Sequence, residues 1–274
     1  MNITAADVNK LRTMTGAGMM DCKKALTEAE GDFEKAVELL RKKGQKVAAS
    51  RGDRDATEGV VLAKASADNT SGYIIVLNCE TDFVAKNDGF VTFANSILDA
   101  AIANNANSPE AVKALTFPGT SLTIEEKITE EIGKIGEKID LSTASQINAG
   151  FVYCYNHPGN KLASIVGFNK ETSADVAKDV AMQTAAMAPV ALDETSVPEE
   201  LKQKEIDIGK ELAINEGKPA DMAEKIAMGR LNKWFKETTL VNQEFIKDSK
   251  LTVGQYVKSV DKDLSISGFL RSGL

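Results

Sequence analysis

A single histidine, His157, and three scattered cysteines, Cys22, Cys79 and Cys154, are the residues of this sequence best suited to nucleophilic or metal chemistry. One ring cannot build a histidine-rich metal site, and a Ser-His-Asp or Cys-His pair would have to be assembled around it alone. The cysteines are odd in number and lack zinc spacing, so they read as small buried hydrophobes in a reducing compartment. Neither GxxxxGK[ST] nor GxGxxG occurs, which removes the usual phosphate-cradling loops. An enzyme is not expected, nor a cofactor of its own. Recognition chemistry remains. Thr81-Asp82-Phe83-Val84 follows an apolar run and precedes a helical one, so an acid and an aromatic fall side by side at a loop. Either Phe83 packs into the core with Asp82 capping the helix, or both point outward toward another protein. Met19 and Met20 follow a Gly-Ala-Gly turn, with one methionine expected in the core and the other exposed, where flexible thioethers suit an adaptable surface.

Composition narrows the partners. The chain has 274 residues, 43% hydrophobic and 27% charged, so it buries real cores and is long enough for two or more domains. A formal charge of −7 argues against a surface shaped for nucleic acid. No apolar run approaches the roughly 18 to 20 residues of a membrane helix, and the N-terminus lacks a basic region followed by a hydrophobic one, so a cytoplasmic location is expected.

The elements that must position these residues are legible from caps and periodicity. Thr4 caps a helix to about Thr13 with Val8 and Leu11 inward; Met19 to Ala29 forms a second; Asp32 caps a third carrying Phe33, Ala36, Val37 and Leu40. The third is expected to end at Arg41-Lys-Lys43 and Gly44, a cationic last turn and a terminal glycine. Residues 1–44 are then a three-helix bundle, and the polar stretch 45–57 a linker. Glu58 to Ser66 and Gly72 to Glu80 read as a hairpin, followed by helices from Gly89, Ser108 and Thr123. Strands return from Leu141, with a turn at Asn156-His157-Pro-Gly-Asn160 and a helix over Thr172 to Met187. This hairpin and helix echo residues 58–103, as a degenerate duplication would.

Residues 196–239 hold two helical patterns broken at Gly217. Ser196, Pro198 and Glu199-Glu200 start the first; Pro219 and Asp221 start the second. Ala223, Ala227, Leu231 and Trp234 are expected to form a seam against Leu201, Ile208 and Leu212. Arms of about 19 residues would extend roughly 28 Å and protrude. A short helix from Thr252 to Val260 and a closing strand from Leu264 to Leu270 complete an α+β chain. It divides into 1–44, a linker 45–57, a core half 58–140, a second half 141–192 with 239–274, and an inserted hairpin 193–238.

Leu11-Arg-Thr-Met-Thr-Gly-Ala-Gly-Met-Met-Asp-Cys-Lys-Lys-Ala-Leu26 resembles the N-terminal signature of the elongation factor Ts family, and Asn78-Cys-Glu-Thr-Asp-Phe-Val-Ala-Lys86 its second. Ile135-Gly-Glu137 and Gly217-Lys-Pro219 fall where that family has similar words. The resemblance implies a bundle similar to ubiquitin-associated domains, a two-part α+β core and a protruding helical hairpin. It further implies a guanine-nucleotide exchange factor that acts on the Mg²⁺ and GDP held by elongation factor Tu. On that resemblance Thr81, Asp82, Phe83 and Val84 look like a wedge near the partner's magnesium. Met19, Met20 and Lys23 look like contacts to its nucleotide-binding domain, Ile135 and Gly136 like a third contact, and His157 like a touch on a distal domain. Ile135 and Gly136 equally fit an apolar helix residue and a helix stop, and His157 a solvated turn. Some members carry a further C-terminal helix, whose contacts are expected to be absent here. A rival is an adaptor that holds helical or ubiquitin-like partners on residues 1–44 alone.

Overall fold

Caps and apolar periodicity place the helices. The computed structural model describes residues 3–274, apart from the side chains of Ala220 and Asp221. Helix α1 (Ala5–Thr15) starts in a capping box of Thr4 and Asp7 and stops at the left-handed Gly16. Helices α2 (Met19–Glu28) and α3 (Phe33–Arg51) complete a bundle around Leu11, Cys22, Leu26 and Ala36. The third helix overturns the expected stop at Gly44. It runs on through most of the supposed linker, because Gly44 is a packing position and not a cap. A Cβ at Gly133 would lie 2.7 Å from the Gly44 Cα, so only two glycines let these helices touch backbone to backbone. Beyond that contact Val47 and Ala48 pack against the adjoining core.

Strands β1 (Glu58–Ala65) and β2 (Ser71–Cys79) form the expected hairpin. After it come a one-turn helix α4 (Asp82–Ala85), α5 (Asp88–Asn104), α6 (Pro109–Lys113) and α7 (Ile124–Ile135). Strand β3 (Ile139–Asn148) pairs antiparallel with β2. A division at 140/141 therefore cuts through a strand of the first sheet; the pairing of Ile139 with Cys79 keeps that strand with the first half. The second sheet is β4 (Phe151–Asn156) and β5 (Leu162–Phe168), completed from far along the chain by β8 (Ile266–Gly273), with α8 (Ala174–Met187) over it.

Both three-stranded sheets are covered on both faces, and side-chain alternation sorts the residues. Val60, Leu62, Ile75 and Leu77 turn toward α5 to α7; Val61, Ala63, Ile74 and Val76 meet Ala163 and Ile165 between the sheets; Val166 and Phe168 turn the other way. The Asn156 side chain joins the layers, accepting from Ala63 N at 2.7 Å and donating to Ala63 O at 2.9 Å.

Helices α9 (Glu199–Asn215) and α10 (Ala220–Thr238) form the expected hairpin, roughly 25 and 28 Å long at about 1.5 Å per residue. Its seam differs from the expected one. Gly209 and Ala213 are buried against Ala223, Ala227 and Leu231, while Ile208 and Leu212 stay exposed. A Cβ on Gly209 would stand 3.1 Å from Ala227 Cα and Cβ, so small residues bring the axes close and push the larger side chains off the seam. Ser196 does not start the helix. It caps a turn on Asp193, whose carboxylate takes Thr195 and Ser196 hydroxyls at 2.7 Å, and Pro198 is the N-cap. The Asp221 expected in the second first turn lies outside the described side chains. At the hairpin root Gln243 and Gln183 are fully buried and bonded to each other. Strands β6 (Glu244–Phe245) and β7 (Asp248–Thr252), helix α11 (Val253–Val260) and strand β8 (Ile266–Gly273) end the chain.

Candidate partner interface

The turn after β2 is built to hold a ring in solvent. Thr81 caps α4, with its hydroxyl accepting from Val84 N at 3.4 Å. Ala85 is buried and Val84 packs half-buried on the first core, so the helix is anchored through its C-terminal residues. One turn of helix then leaves its second position facing out. Phe83 is 83% exposed, the most open large apolar side chain among the described residues. The reading in which it joins the core is excluded, and the cap is Thr81, not Asp82.

Glu137 locks this turn from the neighbouring segment. Its carboxylate accepts from Thr81 N at 3.0 Å and from Thr81 Oγ1 at 2.6 Å. Asp82 accepts from Lys86 at 2.6 Å, and that hydrogen bond holds its carboxyl below the usual range. Lys161 lies near enough to favour the same charge, and it donates to Glu58 at 2.7 Å. The β4–β5 turn thus comes to the same end of the sheets as Phe83. His157 is exposed on that turn, with Nδ1 2.9 Å from Tyr155 Oη.

The remaining positions gather around the end of α7. Ile135 packs against the first core and Gly136 is a left-handed C-cap, as the structural alternative for both had it. A Cβ on Gly16 would stand 3.3 Å from the Lys134 stem, so the corner before Met19 lies on the helix that ends at Ile135. Met19 and Met20 are 54% and 73% exposed, which corrects the expected division between core and surface. Both stand in the first turn of α2, where the buried stripe begins only at Cys22. Lys23 is exposed beside them.

Several residues of this region escape a reading by motif. Met14 is 60% exposed in the last turn of α1, beside Thr15, whose hydroxyl bonds Leu11 O at 2.8 Å. Glu80 gathers the end of α3: it accepts from Arg54 at 3.1 Å and Lys138 N at 2.7 Å, with Arg51 at 3.6 Å. Lys138 in turn donates to Gly52 O and Arg54 O. Alternating charges in Arg51-Gly-Asp-Arg-Asp55 were the only signal of this network.

Among the described residues no cluster of three or more His, Cys, Asp or Glu could hold a metal ion, and no helix is long and apolar enough to cross a membrane. Cys79 donates to Thr81 O at 3.2 Å, and burial pushes its thiol up to about 11. The surface gathered here is therefore an apolar and charged relief, with exposed Phe83 and methionines standing on rigid supports.

The family model described as elongation factor TS matches residues 80–274. The chain is 53% identical over 274 residues to elongation factor Ts of Christiangramia forsetii, covering 99% of this chain and 98% of that protein. The protein of the same name from Flavobacterium psychrophilum is 51% identical, and that from Porphyromonas gingivalis 46%, each across 99% of this chain and 98% of its own length.

Proposed function

The chain belongs to the elongation factor Ts family of translation elongation factors, and from that membership we propose that it binds elongation factor Tu carrying GDP and drives the nucleotide out. The wedge is the Asp82-Phe83 turn, displacing contacts to the partner's Mg²⁺ and phosphates. Met19, Met20 and Lys23 grip the nucleotide-binding domain, Ile135 and Gly136 lie along the same face, and His157 reaches a further part of the partner.

One observation carries this reading. A phenylalanine kept 83% in solvent on a helix of a single turn, latched at its cap by a carboxylate, has most of its surface left to bury. Covering an aromatic side chain removes on the order of 150 to 250 Å² from water, or about 4 to 6 kcal/mol at most at about 25 cal/mol per Å². Exchange needs no bond made or broken, so a general acid or base is superfluous. It needs a factor that binds the empty partner more tightly than the loaded one, and linkage makes the antagonism mutual. Each tenfold gain in release requires about 1.4 kcal/mol.

The adaptor reading fares worse, because α3 is seated on α7 at Gly44 and its final turns pack on the core, so residues 1–44 are not a free module. The test is release of a fluorescent GDP from elongation factor Tu. Substoichiometric amounts of this protein should accelerate it many-fold and repeatedly. Release at the spontaneous rate would overturn the proposal.

A further inference from the structure

The exposed methionines and Phe83 stand on different bodies, the bundle and the first core half, so a partner that meets both must find them at a fixed offset. Helix α7 supplies the frame. Near its end Gly133 receives α3 at Gly44, where any side chain would collide: a Cβ on Gly133 would lie 2.7 Å from Gly44 Cα, and one on Gly44 3.2 Å from Thr129 O. Beside this contact Arg41 pairs with Glu130 at 3.3 Å. Past its end Glu137 holds Thr81. The helix therefore sets the pose of the bundle with Gly133, the segment that leaves its C-cap sets the pose of the wedge turn with Glu137, and the Glu80 clamp on Arg51 and Arg54 fastens the far end of α3.

We infer that Gly133 is a positioning residue: its missing side chain seats the bundle on α7 and so fixes Met19 and Met20 relative to Phe83. Two contact patches held rigidly bind as one, the second engaging at the high effective concentration that the first creates. Tilting the bundle leaves each patch intact and removes their concert. This inference rests on the exchange reading only for its kinetic consequence; its structural half stands alone.

The test is Gly133→Ala in the full chain, with Gly44→Ala as a milder displacement should the first fail to fold. Gly229→Ala, where a Cβ meets nothing within 4 Å, controls for the helix preference of alanine. Spin labels on Glu28→Cys in α2 and Thr92→Cys in α5, both exposed, report the distance between bundle and core. That distance should shift or broaden in Gly133→Ala and stay put in Gly229→Ala. In GDP release from elongation factor Tu, the concentration for half-maximal acceleration should rise roughly tenfold while the saturating rate stays within about twofold. An unmoved distance overturns the seating. A moved distance with an unchanged half-maximal concentration overturns the concerted grip, as does an equal fall of the saturating rate. Should the unaltered protein release no GDP, the exchange reading fails by itself and the distances still decide the seating.

Discussion

Replacing Phe83 by alanine tests the wedge at its centre, and its size follows from exposure. With 83% of the residue open to solvent, nearly the whole ring awaits a partner. Scaling a burial of about 150 to 250 Å² by that exposure leaves about 3 to 5 kcal/mol at about 25 cal/mol per Å². Alanine keeps the first carbon, and area sums of this kind are upper bounds, so the expected loss is about 2 to 3 kcal/mol, or roughly 30- to 150-fold in release rate at limiting factor. The fold should not notice, since an exposed helical position away from packing changes stability by about 0.5 kcal/mol or less. Stopped-flow release of a fluorescent GDP gives the rate, and thermal unfolding gives the control. A rate within threefold of the unaltered protein, with stability preserved, would refute the argument, because the most exposed large apolar side chain among the described residues would then be idle in the reaction.

Three further outcomes are expected. Glu137→Ala strands Thr81 N without its acceptor and should cost about 1 to 3 kcal/mol of stability with faster hydrogen exchange at that amide, whereas Glu137→Gln retains an acceptor and should cost less than about 1 kcal/mol. Gln243→Leu removes the donor to Met187 O and Glu237 O and breaks the bond from Gln183, so unfolding should fall by about 2 to 4 kcal/mol, with proteolysis concentrated at the hairpin root. Burial pushes Cys79 up to about 11 and Cys154 up to about 12 from an ordinary 9.0, so the folded chain holds these protons more tightly than the unfolded one. Stability is then intact below about pH 9 and declines as the pH rises through that window, which denaturant titrations at neutral and alkaline pH will read; rapid native labelling of Cys79 by a thiol reagent at neutral pH would contradict it.

Local chemistry made much of this fold legible. Capping at Thr4, Asp32, Ser108 and Thr123, and turn residues between alternating apolar runs, announce their elements without tertiary help. Where the reading failed, a distant contact decided. Gly44 after three cationic residues has the look of a helix stop, and only Gly133 on another helix makes it a seat. Ile208 and Leu212 look like seam residues, but Gly209 and Ala213 bring the axes too close for them. Strand β3 reads as the opening of the second half until its register with β2 is known. At the site, the outward Phe83 was one of two open readings, since a ring at a strand end has the same local pattern in either case. The latch by Glu137 carried no local sign at all, being a bond across 56 positions of sequence.

The position of β8 has a consequence for how this chain is made. The first sheet is complete once Asn148 has left the ribosome, yet the second waits for Ile266 to Gly273 to lie alongside β5, after the whole helical hairpin has been synthesised. Throughout that interval a two-stranded ribbon lacks its third strand beside Val166 and Phe168, the sort of exposed intermediate that nascent-chain chaperones attend. A component of the elongation machinery therefore cannot complete its second sheet until Ile266 to Gly273 have been translated, long after its first sheet is closed.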